Sequence, residues 1–283
     1  MTGTGHAGPI RPFRFGVIAM PTPMSNGREL QQTARAAADR GYTSLLAPDN
    51  MSLLAPLPSL AVAAFGADIR VGTIVLSSPL RPPAVAAWEA HTMSVITDGR
   101  FELGIGAGMP MPGPLLEQSG IEFEDPARRV QRVEEIVERL KVLSAGNPVP
   151  VMVAAGGPAT RRLAGRVADT AILTGDPYAN VASRSGLVNN FRESAGERAD
   201  DVELLSNLLI VGNGPVDAGV LRARGLDADQ LVAADAVSVL RGTVSEMCDE
   251  LQRRRELLGS SYITVSEPML DAFAPVVETL AGQ

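Results

Sequence analysis

Short runs of Val, Ile, Leu and Ala alternate along the chain with stretches whose apolar positions recur at helical spacing. The clearest instance is 68–108, DIRVGTIVLSSPLRPPAVAAWEAHTMSVITDGRFELGIGAG. Residues 69–76 form a run rich in Val, Ile and Thr between an acidic residue and Ser-Ser-Pro, the pattern of a strand buried on both faces. Pro82 and Pro83 suit a helix opening, because the first turn leaves its N–H groups unbonded anyway. Over 84–96 the residues Val85, Trp88, Thr92, Val95 and Ile96 return at helical spacing, and Thr97-Asp98-Gly99 stops the helix. Residues 100–105 give the next strand, whose end can pass close to another backbone or a ligand because Gly104, Gly106 and Gly108 lack side chains. The whole is a βαβ unit, with ligands expected off the carboxyl ends of its strands.

The same reading predicts strands at 13–19, 42–47, 149–154, 170–173, within 202–211 and at 262–265. Helices are predicted at about 28–40 behind an Asn26 cap, near 59–65, and at 127–143, 159–167, 180–195, 243–258 and 269–280. The helix at 127–143 aligns Val130, Val133, Ile136, Val137, Leu140 and Leu143 on one face. The proline-rich stretch 109–126 is long enough for a lid or binding loop, and 216–234 reads as an irregular helical insertion. Eight strands, most followed by a helix and none joined by a hairpin signal, imply one closed (β/α)8 TIM barrel over 13–283 behind a loose tail at 1–12. An open doubly wound sheet is the alternative.

Composition narrows the function classes. The 283 residues are 45% hydrophobic, enough for a barrel core. Lys plus Arg number 25 against 32 Asp plus Glu, a net charge of −7 without a basic run, so nucleic acid and anionic membranes find no electrostatic footing. The uncharged apolar stretch 51–67 is broken by Pro56 and Pro58 and too short to span a bilayer. Cys248 is the only cysteine, which excludes an internal disulfide, suits a reducing cytoplasm, and reads as a buried inert thiol. No histidine or carboxylate spacing suggests a metal, and with His91 the one histidine outside the tail a Ser-His-Asp triad has little support.

A barrel gathers the loops after strands two to six at one mouth, bringing together 49–50, 77–78, 106–111, 156–157 and 174–176. Within 154–161, AAGGPATR, a strand ends in two glycines and a proline-led helix points its positive end at the gap, which suits a phosphate; a plain tight turn is the other reading. Asp49, Asp176 and Glu267 follow strands two, six and eight, where barrel enzymes keep acids and bases, though each also reads as a cap or loop anchor. Glu102 reads as a core ion-pair partner of Arg100. With few acids, bases or metal ligands and several methionines (Met20, Met24, Met51, Met109, Met111), the site looks like a slot for a large flat cofactor that brings its own chemistry.

The segments ELQQTARAAADRGYTSLLAPDN, 68–108 as quoted, and VPVMVAAGGPATRRLAGRVADTAILTG resemble the bacterial luciferase-like superfamily. Within it they are most similar to oxidoreductases using the deazaflavin coenzyme F-420 (F420), with FMN-dependent monooxygenases as cousins. The resemblance implies a (β/α)8 barrel, usually a homodimer, that binds its deazaflavin or flavin at the carboxyl ends of the strands and acts on a small-molecule substrate. It implies a phosphate held by backbone N–H groups of Ala155, Gly156, Gly157 and their neighbours Pro158 and Ala159, with Thr174 adjacent. It also implies a non-proline cis peptide near Ile74-Val75 behind the cofactor ring, with Thr73 and Ser77 close by and Gly106, Ala107 and Gly108 lining the slot. A side chain at Gly157 is expected to displace the phosphate and to strain a positive φ. Asp49 and Asn50 occupy the catalytic positions, but Asn50 stands where many deazaflavin members have histidine. Met109 stands where the glucose-6-phosphate dehydrogenases have glutamate, and Pro110 where asparagine is common. These departures argue against a proton-shuttling sugar dehydrogenase and leave open an FMN monooxygenase or a non-catalytic cofactor-binding protein.

Overall fold

The computed structural model describes residues 10–109, 120–122, 124–216, 221–222 and 225–283. Its strands are β1 (Arg14–Ile18), β2 (Ser44–Ala47), β3 (Arg70–Thr73), β4 (Leu76–Ser77), β5 (Phe101–Gly106), β6 (Val151–Ala154), β7 (Thr170–Ile172), β8 (Glu203–Leu208), β9 (Ile210–Val211), β10 (Val239–Leu240) and β11 (Ser260–Ser266). The main sheet runs β3-β2-β1-β11-β8-β7-β6-β5-β4, and a β3–β5 pairing closes it. Every pairing in it is parallel. Because β3 and β4 are two pieces of one stave, the result is the expected eight-stranded barrel.

Around it lie α1 (Gly27–Asp39), α2 (Pro56–Ala64), α3 (Pro83–Ile96), α4 (Pro126–Leu143), α5 (Pro158–Val167), α6 (Val181–Ala195), α7 (Ala228–Ala233), α8 (Val244–Leu258) and α9 (Leu270–Leu280). Their boundaries follow local chemistry. Asn26 accepts the N–H groups of Arg28 and Glu29 while Glu29 returns to the Asn26 N–H, a capping box. Asp125 caps α4, and Gly259, with φ of 76°, ends α8 in the left-handed conformation. On α4 the predicted stripe packs inward at Val133, Ile136, Val137 and Leu140, whereas Leu143 is exposed.

Three expectations need correction. On α3 the core face is Ala86, Ala87, Ala90, Met93 and Ser94; the larger Val85, Trp88, Val95 and Ile96 face solvent. Small residues let the helix lie close to its neighbours, so size rather than hydropathy chose the inward face. The region around 202–240 holds an extra two-stranded parallel sheet, β9 with β10, over a satellite core of Ile210, Leu221, Leu231, Ala236 and Val239. Glu102 does not pair with Arg100, whose guanidinium donates instead to the carbonyls of Ala64, Ala67 and Ile69. Residues 1–9 of the tail and most of the 109–126 loop lie outside the described residues, while Arg11 donates to the carbonyls of Asp200 and Asp201 at 2.8 and 2.7 Å. Among the described residues no helix is long and apolar enough to cross a membrane. Cys248 is buried, and burial pushes its thiol pKa up.

The partners of Glu102 close the amino-terminal end of the barrel. Arg14, which opens β1, donates to both Glu102 oxygens at 3.0 and 3.1 Å and to Glu203 at 2.7 to 3.1 Å. Arg70 reaches Glu102 at 2.5 Å, and the Arg14 guanidinium lies 3.5 Å from the centre of the Tyr262 ring. Tyr262 is fully buried, and its hydroxyl shares a 2.5 Å hydrogen bond with Ser44. Burial above all raises the Tyr262 pKa, so it stays a neutral phenol. Burial alone would lower the Arg14 pKa, but the carboxylates of Glu102 and Glu203 hold it above its ordinary range.

Removing one member of such a cluster strands the opposite charge. Arg14→Met should lower unfolding stability by about 3 kcal/mol in urea titrations. Arg253→Met, which breaks the exposed Arg253–Glu250 pair, should change it by less than about 1 kcal/mol. Equal effects would mean that the cluster is not a stabilising unit.

Candidate cofactor site at the barrel mouth

The third stave breaks where it reaches the mouth. Its register with β5 passes from Gly72↔Glu102 to Leu76↔Ile105, four steps against three, so one extra residue is accommodated between β3 and β4. Within that break the Ile74-Val75 peptide is cis, as the resemblance implied. Ile74 and Val75 pack onto an interior cluster of Ile18, Leu46, Met152, Ile172, Leu205 and Tyr262, joined by Met20. They form an apolar platform at the top of the barrel interior.

β5 is shaped to fit this break. A Cβ on Gly104 would collide with the Thr73 carbonyl oxygen, and one on Gly106 would lie 2.9 Å from Val75 Cγ2. One on Gly108, whose φ is 74°, would lie 2.7 Å from Ser77 Oγ. Thr73 is buried and donates its hydroxyl to the Gly104 carbonyl at 2.6 Å. Arg129 of α4 donates to the carbonyls of Ala107 and Gly108 at 2.9 and 2.7 Å, which fixes the turn that leaves the strand.

Asp49 follows β2 and is held rather than free. Its carboxylate accepts the Ser77 N–H at 3.0 Å and the Arg81 guanidinium at 2.7 Å, and its side chain is 6% exposed. Asn50 is exposed and accepts the Ser52 N–H at 2.9 Å in a local turn. Asp176 likewise caps the Tyr178 N–H, and Glu267 accepts from Thr33. Both therefore act as loop anchors.

At the end of β6 the chain opens a gap beside β7. A Cβ on Gly156 would lie 2.6 Å from Thr174 Oγ1, so Gly156 and Thr174 are in close apposition. The Ala155 N–H is spent on the Ile172 carbonyl at 2.9 Å, and the Gly157 N–H on Thr160 Oγ1 at 3.0 Å. Pro158 has no N–H. Of the expected backbone donors this leaves the Gly156 and Ala159 N–H groups, with the Thr160 N–H beside them; the last two open α5 ahead of any intrahelical acceptor. Arg161 donates to the Gly156 carbonyl at 2.7 Å and brings a cation to the same gap. Gly157 has φ of −101°, and a Cβ there would make only an ordinary 3.9 Å contact with Thr160 Oγ1, so there is no positive φ to strain.

Sequence reading missed three guanidinium groups that organise the mouth, Arg81, Arg129 and Arg184. The last donates to the Leu173 carbonyl at 2.7 Å, and burial lowers its pKa. No spacing rule marks such long-range contacts, although arginine rather than lysine throughout was a hint of carbonyl and carboxylate clamps. Met51 and Met109 are exposed at this end, and Met111 lies outside the described residues.

A model of the luciferase-like monooxygenase family matches residues 12–218, and the chain belongs to that family. It is 28% identical over 233 residues to the F420-dependent glucose-6-phosphate dehydrogenase of Nakamurella multipartita, covering 70% of this chain and 68% of that protein. It is 28% identical over 262 residues to the same-named enzyme of Microbacterium testaceum, covering 81% and 77%. Its fold superposes on the coenzyme F420-dependent tetrahydromethanopterin reductase of Methanopyrus kandleri with a TM-score of 0.70 at 17% identity, over 94% of this chain and 98% of that one.

The steric account separates two glycines. Gly104→Ala should cost about 3 kcal/mol or prevent folding, because the opposing atom is backbone and cannot rotate away. Gly157→Ala should shift the thermal midpoint by no more than about 2 °C. A stable Gly104→Ala protein in a melting experiment would refute the close-packing account of β5.

Proposed function

We propose that this chain is an oxidoreductase that binds coenzyme F420 at the barrel mouth and exchanges a hydride with a small organic substrate. The observation that carries the reading is the pairing of an apolar platform at Ile74 and Val75 with a donor-lined gap at Gly156, Thr160 and Thr174. A flat ring and a phosphate need these two features, and the glycines of β5 leave room between them. Bound F420 supplies the hydride chemistry at its C5 carbon. Relatives named as F420-dependent enzymes support this cofactor over FMN.

The protein's own part is to bind, orient and exclude water. The first turn of α5 with Arg161 holds the anionic end, and the Ile74-Val75 platform sets the ring plane. Asp49 serves as a positioning residue, since its charge is already met by Arg81 and the Ser77 N–H. Asn50 can orient a polar substrate group but has no proton to relay.

The reading includes a reducing, cytoplasmic setting, on the single cysteine, and a homodimer. Trp88 is 63% exposed and Phe65 69% exposed, and with Val95 and Ile96 they give α2 and α3 an apolar outer face that a second copy would cover. Trp88→Glu should convert a dimer into a monomer in sedimentation experiments, with folding unchanged; an unaltered mass would place the interface elsewhere.

Titration of the purified chain with F420, FMN and FAD, followed by absorbance assays with reduced F420 and a panel of enones, imines and aldehydes, tests the function. F420 should bind in preference to both flavins and be turned over. Gly157→Val, whose added Cβ would have no contact closer than 3.9 Å, should weaken F420 at least about tenfold by crowding the phosphate. Preference for FMN would indicate a monooxygenase, F420 binding without turnover a carrier, and no binding would end the cofactor reading.

A further inference from the structure

A second concave feature lies beside the break in the third stave. It is a cavity of about 360 Å³ walled by Met51, Leu53, Leu80 and Ile121, with Asp49 and Arg81 in its lining. It adjoins the proposed ring platform, because the same Asp49 carboxylate accepts the N–H of Ser77 on β4. At the volume a water occupies in the liquid it has room for about a dozen heavy atoms.

We propose that this cavity is the substrate pocket and that it takes a neutral, mainly apolar molecule rather than a phosphorylated or otherwise anionic one. The proposal rests on the F420 reading and deepens it. A phosphate dianion needs a guanidinium or ammonium whose charge is not already spent. Arg81, the one cation among the described residues of the lining, is shared between two carboxylates, Asp49 at 2.7 Å and Glu89 at 3.1 Å. That trio sums to one negative charge. Arg132, which donates to the Arg81 carbonyl, is itself held by both oxygens of Glu124 at 2.8 Å. An anion entering here would meet the net negative charge of the Asp49–Arg81–Glu89 trio, whereas an apolar ligand would cover Met51, Leu53, Leu80 and Ile121.

Saturation-transfer NMR on the full chain, with and without F420, tests this with carvone as the neutral probe and glucose 6-phosphate as the anionic one. Carvone should receive saturation and glucose 6-phosphate should not. Leu53→Asp should weaken carvone binding by about fivefold or more, by placing a carboxylate on the apolar wall. Circular dichroism checks its folding, and Met51→Asp, at a half-exposed rim position, serves if Leu53→Asp does not fold. Binding of glucose 6-phosphate to the parent, absence of carvone binding, or carvone binding unchanged in the folded variants would overturn the proposal. F420 titration of the same samples scores the cofactor reading separately: carvone bound without F420 sinks the function and keeps the pocket, and F420 bound without carvone does the reverse.

Discussion

The alternate positions 104, 106 and 108 on β5 and the turn after it lie against alternate positions 73, 75 and 77 of the third stave, and a Cβ at any of the three glycines would meet an atom there. Side chains at such positions would normally separate two staves where one of them breaks register. Their absence lets Thr73 bond the Gly104 carbonyl and keeps Ile74 and Val75 seated on the barrel interior. The site is built outward from this contact. Asp49 grips Ser77 from one side, Arg129 holds the Ala107 and Gly108 carbonyls from another, and the cavity walled by Met51, Leu53, Leu80 and Ile121 adjoins the seam.

The two ends of the barrel use their charged side chains differently. The amino-terminal end is filled by Arg14, Arg70, Glu102, Glu203 and Tyr262, a charged plug whose members satisfy one another. The carboxyl end uses its charges differently, spending Arg81, Arg129 and Arg184 on carbonyls and on Asp49 to hold loops in place. What is left for a ligand is an apolar platform, a helix start with its hydroxyl and guanidinium neighbours, and an apolar side cavity. That inventory suits a cofactor carrying its own reactivity.

Most of this architecture was legible in the sequence because each stave is a short apolar run and several helices have a start or stop signal such as Asn26 or Gly259. The glycines at 104, 106 and 108 announced a close approach, and the family resemblance located the cis peptide at Ile74-Val75. What escaped were facts of tertiary packing. The inward face of α3 is set by small side chains, which hydropathy ranks below Trp88 and Val95. The partner of Glu102 lies 88 residues away at Arg14, beyond any local rule. The N–H groups of Ala155 and Gly157 were counted as free, yet a sheet carbonyl and a threonine hydroxyl had already taken them.

The central claim is that the seam between β5 and the third stave, together with the start of α5, forms one cofactor site. A crystal structure of the full chain grown with F420 tests it most directly. The account predicts the deazaflavin ring against Ile74 and Val75, with its phosphate within hydrogen-bonding distance of the first turn of α5 beside Gly156 and Thr160. A ring bound away from that seam, or a phosphate that leaves α5 untouched, would contradict it.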